Sequence, residues 1–246
     1  GNGAVTLSGA AADASIEAAD ITETSAKATP SAPASGDKAG IGASAALNIV
    51  ANRSTAELAK DATLTGARNV TLSAEGEFTA EAEAEAGAEG GISLTPALGL
   101  SLINNSTTAQ LGTGGTLVAT GKVDLSAIQQ ADTTTKASGK AVGSKAAIGA
   151  ALALAIVNDQ VVATTNRSIT TTGTGNVDFL AMGASFSSLE AEASATGGEE
   201  SKDDGSAPAD DQDVDGKVDA QFTDAEGKQT KGGVGDSTQK DKTASD

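Results

Sequence analysis

The chain has 246 residues and a formal net charge of −17, with 16 basic and 33 acidic side chains, no histidine and no cysteine. This acidic balance argues against nucleic acid as a partner, because phosphate contacts need clustered Lys and Arg, and the lack of cysteine excludes disulfides and thiolate sites. With four Phe, no Trp and no Tyr, the chain lacks the bulky core of an ordinary globule. The abundance of small residues instead favours a thin, stacked architecture.

A short motif recurs along the chain. It begins at Val5, Val70, Val123 and Val177, and the starts are 65, 53 and 54 residues apart. A period of this length is typical of elongated, stacked proteins rather than of an enzyme with one unique pocket. We therefore predict repeats at 5–69, 70–122 and 123–176, and a partial repeat at 177–196.

The first long stretch of each copy alternates small apolar residues with polar ones. In the second copy one parity carries Ala80, Ala82, Ala84, Ala86 and Ala88, and the other carries Glu81, Glu83, Glu85 and Glu89. Ala and Glu also favour helices, but the third copy places Thr and Gly in the same stretch, and both are poor helix formers. The period of two predicts a strand with alanine facing inward and a solvated glutamate row facing outward. The alternative interpretation is that this row of glutamates binds cations weakly.

An uncharged apolar stretch follows in each of the three longer copies, at 41–50, 92–103 and 148–157. Both of its faces are apolar or small, so we predict that its strand is the most buried one. Asn-rich pairs come next, such as Asn104-Asn105 and Asn158-Asp159, and these predict a turn because Asn and Asp tolerate left-handed backbone.

Each copy thus contains about five short strands. At roughly 18–22 residues per coil, one copy forms about two and a half to three coils of a parallel β-helix, or β-solenoid. We therefore predict an all-β parallel β-helix built from repeats of about 53 residues. The alternative is an antiparallel β-sandwich made of hairpins.

Two segments interrupt the pattern. A Pro-rich insertion is predicted near 28–39, and residues 197–246 read as an acidic, low-complexity insertion or tail that we expect to be flexible. Since the chain opens at a repeat boundary and its last copy is incomplete, we expect it to continue into a longer parent chain. No apolar run is long enough to span a bilayer, so we expect no membrane span.

The apolar stretches carry a family resemblance. The segments 40–50 and 147–158, rich in Gly, Ala, Leu and Ile, resemble the repeats of giant bacterial filamentous adhesins, the leukotoxin-type and filamentous haemagglutinin-like exoproteins. This resemblance covers about residues 1–196. It implies a secreted protein of the bacterial cell surface that forms a β-helical stalk. It also implies attachment to a receptor or glycan on a host or neighbouring cell, whose identity the sequence leaves unknown.

The tail contains the best candidate for a ligand site. Asp211, Asp213, Asp215, Lys217 and Asp219 match the first part of an EF-hand-type calcium loop, with the Lys217 carbonyl as the backbone ligand. Phe222 stands where that motif requires a bidentate Glu, so an acidic tract without calcium is the other reading. The alternative function is accordingly a calcium-dependent extracellular surface or matrix protein. We expect no required cofactor, with Ca²⁺ as the one candidate.

We expect no catalysis. Paired carboxylates could serve glycoside chemistry, but such sites usually also need bases and sugar-stacking aromatics, and the chain has no His, Tyr or Trp. We predict that the three arginines, Arg53, Arg68 and Arg167, lie in turns and have no catalytic role.

Overall fold

Parallel strands make up most of the computed structural model, which describes residues 3–8 and 12–197. These residues belong to the first of two units of the chain, Gly1–Glu199, and 81% of them lie in strands and none in a helix. The strands are β1 (Ala4–Thr6), β2 (Ala14–Ala28), β3 (Ala34–Ile41), β4 (Ser44–Leu58), β5 (Thr63–Thr65), β6 (Val70–Leu111), β7 (Leu117–Ala119), β8 (Val123–Thr165), β9 (Ile169–Thr171) and β10 (Val177–Gly197). Every strand pair that the described residues form is parallel. The prediction of an all-β chain with parallel strands is confirmed, and the antiparallel alternative is wrong for this part of the chain.

The repeats contribute neighbouring strands of one sheet, in the order β10-β8-β6-β2. Val70 of β6 pairs with Val123 of β8, which pairs in turn with Val177 of β10. Partners in β6, β8 and β10 are therefore 53 or 54 residues apart, as the side-chain bonds Asn52–Asn105 and Asn105–Asp159 also record, whereas partners in β2 and β6 are 56 residues apart. One repeat advances the sheet by one strand. The expected coil of roughly 18–22 residues is wrong, because segments expected in successive coils belong to one continuous long strand.

The first copy enters the sheet in a register different from the expected one. Val5 pairs with Leu64 in the short β1–β5 pair, and Ala14 lies beside Val70, so the repeat boundary set at Val5 is not the structural one. A four-residue alternation is too short to fix a register, which depends on pairing along the whole strand. The insertion is also shorter than 28–39, because only residues 29–33 separate β2 from β3.

Each long strand folds back on itself halfway along its length. Gly139 and Ala150 of β8 would lie about 36 Å apart in a straight strand. A Cβ atom added to Gly139 would nevertheless lie 2.5 Å from the carbonyl oxygens of Ala150 and of Thr95 in β6. In β6 the register shift between Gly90 and Ile92 marks the bend. The part before the bend is here called the first limb (70–90 in β6 and 123–143 in β8, with the paired strands β2 and β10). The part after it is the second limb (92–111 and 146–165, with the paired residues 39–41 of β3 and strand β4).

The two limbs pack face to face with small side chains between them. The hydroxyls of Ser101 in the second limb and Thr135 in the first limb are 2.7 Å apart and share a buried hydrogen bond. The inward parity of the first limb is buried as predicted, at Ala80, Ala82, Ala84, Ala86 and Ala88. A wider core forms where the limb ends meet the short strands, from Leu58, Leu64, Val70, Leu72, Leu111, Leu117, Val123 and Leu125. The two packed limbs that one repeat contributes are here called a layer. The core of each layer is therefore wide and aliphatic at one end, and narrow and filled with alanine at the other.

Candidate functional site

The predicted calcium ligands lie outside the described residues, which end at position 197. These ligands are Asp211, Asp213, Asp215, Lys217 and Asp219, and the calcium loop stays a prediction. Within residues 3–8 and 12–197, no group of three or more His, Cys, Asp or Glu side chains could hold a metal ion. The candidate functional features of the described residues are therefore surfaces of the folded strands.

The glutamate row of the first limb faces away from the core and is paired with lysine. Lys27 Nζ lies 3.1 Å from Glu81 and 3.0 Å from Glu83. The register places Lys27, Glu83, Lys136 and Glu190 side by side on four successive strands, and Lys136 lies 3.4 Å from Glu190. Opposite charges at directly neighbouring positions favour this strand pairing. Because lysine and glutamate alternate from strand to strand in this row, the glutamates do not lie directly beside one another and do not repel.

The ion pairs of Lys27 also affect its proton affinity. Hydrogen bonds to Glu83 and then to Glu81 raise the pKa of Lys27 above its ordinary value of 10.5. A raised pKa in the folded state means that this contribution is present below pH 10.5 and is lost as the pH rises through the higher folded value. Because these side chains are exposed to solvent, the contribution of each pair to stability is small.

A second charged cluster joins the chain just before β2 to the chain just before β6. Asp13 accepts hydrogen bonds from Arg68 Nε and Nη2 at 2.9 and 2.7 Å, and from the backbone and side-chain nitrogens of Asn69 at 3.2 and 3.1 Å. These bonds, that of Arg68 foremost, lower the pKa of Asp13 from 3.8 to about 2. Paired bonds between a guanidinium and a carboxylate fix geometry as well as charge. Arg68, which we predicted to lie in a turn without a structural role, thus connects the starts of the paired strands β2 and β6.

Arg167 is a buried residue that the sequence reasoning missed. Only 8% of it is exposed, and its guanidinium donates to the backbone carbonyls of Gly112 at 2.6 Å, Ala62 at 2.8 Å and Ala59 at 2.9 Å. These acceptors lie one and two repeats earlier in the chain. Five fixed donors on a planar group suit such a cluster of carbonyls. Arg167 therefore ties three layers together at the end of the wide core, and the single available signal was the Asn-Arg-Ser triplet that it shares with Arg53.

The Asn-rich pairs form ladders rather than turns. Strands β4, β6 and β8 run through them without a break. Asn52 donates to Asn105 at 2.9 Å, and the buried Asn105 donates to Asp159 at 2.8 Å, which also accepts from Gln129 at 3.1 Å. The predicted turn is wrong, because side-chain amides stacked on parallel strands satisfy one another.

The bulky side chains of the second limb face outward. They form an exposed surface, here called the aliphatic face, across three neighbouring strand positions: β8, β6, and the consecutive strands β3 and β4. It consists of Ile41, Leu47, Ile49, Ile92, Leu94, Leu98, Ile148, Leu152, Leu154 and Ile156. The prediction that this strand is the most buried one is wrong. The space between the limbs admits only small side chains, and Ser93, Thr95 and Ala97 fill the inward parity, so the parity with Leu and Ile is turned to solvent.

Three grooves on the described surface are small. Their volumes are about 180, 240 and 280 Å³, below the range of about 300–1,000 Å³ that is usual for small-molecule sites. In the described part of the chain, no helix is long and apolar enough to cross a membrane.

Comparison with known proteins adds no identification, since no family model, curated protein or solved structure matches the chain. The repeat register and the two outer faces of the limbs are the features of the molecule from which a function can be inferred.

Proposed function

We propose that this chain is a non-enzymatic stalk or display segment of a large secreted bacterial surface protein of the filamentous-adhesin kind, folded as a parallel β-helix. One observation carries this proposal: the register of 53 or 54 residues, which places Val on Val and Asn on Asn in successive repeats. Such pairing can continue with each added repeat, because every layer presents the same edge to the next. In this proposal one coil equals one whole repeat, with two long limbs and one short side.

The surface chemistry of the limbs fits a display role. The first limb presents alternating charges, from Lys27 to Glu190, and these keep an extended sheet hydrated. The grooves are too small for a typical small-molecule substrate. The role in attachment and the location at the bacterial cell surface come from the resemblance of the repeats to filamentous adhesins. In this proposal the partner is a receptor or glycan on a host or neighbouring cell.

The β-helix part of the proposal can be tested by duplicating residues 70–122 in the chain. If one repeat forms one coil, each added copy lengthens the particle by one strand spacing, about 4.8 Å. Pulsed electron paramagnetic resonance of chains with two and four added copies would measure this increment as the distance between spin labels on Ser15→Cys and Asp178→Cys, which lie in one register column at opposite ends of the stack. A separate domain of this size has a radius of gyration of about 10 Å, so increments near 20 Å per copy would refute the coil.

The attachment part needs a separate experiment. Beads coated with the chain should be retained on host-cell or bacterial monolayers more strongly than beads coated with an unrelated acidic protein of matched charge density. Equal retention would remove attachment from the proposal and leave the stalk unaffected.

The calcium-dependent alternative concerns the tail alone. If the loop at Asp211–Asp219 binds Ca²⁺, titration with the metal should protect its amides from hydrogen exchange, and the paired variant Asp213→Asn/Asp215→Asn should lose that protection. Unchanged protection in the original chain would reject the calcium function.

A further inference from the structure

The aliphatic face repeats the same chemistry in every layer of the second limb. Leu98 lies beside Leu152, and Ile49, Leu102 and Ile156 occupy one register column. The exposed fractions are high, at 56% for Leu152 and 66% for Ile49. An apolar surface that is continuous over three strands differs from singly scattered exposed side chains, which are normal in any protein.

The aliphatic face is also uncharged, although the chain as a whole carries a net charge of −17. The segments 39–52, 92–103 and 146–157 contain no Asp, Glu, Lys or Arg. The first limb, on the other side of the layer, carries the alternating lysines and glutamates. A partner on the aliphatic face therefore has to be apolar and uncharged over the same area, and the same face of a second copy has both properties.

The size of the face decides whether such an association is feasible. Three strands about 4.8 Å apart, with roughly 12 residues at about 3.3 Å each, give a flat area on the order of 550 Å². Two such faces in contact bury on the order of 1,100 Å², just above the area of about 1,000 Å² that a specific interface needs. The protruding Leu and Ile side chains add to this flat area. The expected complex is thus reversible rather than permanent.

We propose that two copies of this chain associate side by side through their aliphatic faces. A contact of a face with the same face of the partner is isologous, so it closes as a dimer. This proposal does not depend on the attachment role. The dependence on salt has a defined sign, because added salt screens the repulsion between two acidic chains while leaving apolar contacts intact. Association of the open strand edges through Lys27 and Glu190 would show the opposite sign.

Sedimentation velocity of the full chain from 1 to 200 μM would test the dimer. We expect the weight-average mass to rise toward two chains, and the dissociation constant to fall severalfold between 50 and 500 mM NaCl. The variant Leu98→Lys/Leu152→Lys places two charges at the centre of the face, where they point to solvent in the monomer, and should weaken the dimer more than about tenfold. The matched control Ile21→Lys/Ile128→Lys alters exposed apolar residues of the first limb and should leave the dimer unchanged.

Circular dichroism would confirm that each variant is folded, and Leu98→Ser/Leu152→Ser provides a milder second variant. Four outcomes would overturn the proposal: a monomer at every concentration, a dimer retained by both Leu98/Leu152 variants, loss of the dimer in the control, or a dimer that weakens with salt. Binding of a monomeric chain to neutral phosphatidylcholine vesicles, lost in Leu98→Lys/Leu152→Lys, would also overturn it and assign the face to lipid.

Discussion

Replacement of Arg167 by methionine should destabilise the fold strongly. The guanidinium donates to carbonyls of the two preceding layers, and the substitution keeps much of the side-chain volume while removing all donors. Among the bonds of the described residues, the carbonyl of Ala59 also accepts from a backbone nitrogen. The carbonyls of Ala62 and Gly112 accept from Arg167 alone.

The expected magnitude follows from those two carbonyls. A buried acceptor without a partner costs about 1–3 kcal/mol, and removal of a desolvated charge offsets part of that loss. We therefore expect Arg167→Met to lower the free energy of unfolding by about 2–4 kcal/mol. With a urea m-value of about 2 kcal/mol/M, the unfolding midpoint would fall by roughly 1–2 M.

Urea denaturation followed by circular dichroism measures this shift, and Arg53→Met is the matched control. Arg53 is exposed, and its Nε donates to Thr55 within the same strand at 3.1 Å, so its loss should change stability by less than about 0.5 kcal/mol. Arg167→Lys should fall between, since one ammonium cannot reproduce the planar fork. Equal midpoints for Arg167→Met and Arg53→Met would refute the idea that the buried guanidinium holds the layers together.

Three further changes test other parts of the fold. Gly139→Ala should lower the free energy of unfolding by about 1–3 kcal/mol, because its Cβ would press on two carbonyl oxygens of the second limb. The control Gly115→Ala should leave stability unchanged, because nothing lies within 4 Å of its added Cβ. Equal urea midpoints for the two variants would contradict the folded-back strand. Thr95→Val should leave stability unchanged or raise it, because the buried Thr95 hydroxyl has no hydrogen-bond partner among the described residues. A clear loss of thermal stability would contradict this expectation. Because the pKa of Asp13 falls from 3.8 to about 2, its stabilising effect should be complete above about pH 4 and vanish toward pH 2. Titration of Asp13 by carboxyl NMR near 3.8 would contradict the Arg68 pairing.

The sequence predicted the inward and outward parity of the first limb well. Its alternation of Ala and Glu has one physical solution, because alanine can be buried without cost and a row of glutamates cannot. The parallel direction was also predicted, because the repeat period favoured a stacked β-helix in which like residues lie beside like residues.

The second limb shows where the sequence reasoning failed. Leu98 and Ala97 are both apolar, so hydrophobicity alone could not decide which parity faces inward. The deciding fact is the narrow gap between the limbs, which depends on residues such as Thr135 in another repeat. The prediction of turns at the Asn pairs was wrong for a related reason. An isolated Asn predicts a turn, whereas Asn side chains stacked on neighbouring strands stabilise those strands. Arg167 could not be recognised because its acceptors lie 54 to 109 residues away in the chain.

The long register between strands has a consequence for how this protein acquires its fold. Each strand of 42 or 43 residues pairs with a strand a full repeat away in the sequence. No local hairpin therefore fixes the register early in folding. Non-local parallel pairing of this kind makes folding slow and exposes the unpaired strand edges of aggregation-prone intermediates. Once one layer exists, however, its edge serves as a template for the next segment of chain. Folding should therefore proceed directionally, with one long strand added at a time and the pairing of the first two strands as the slow step.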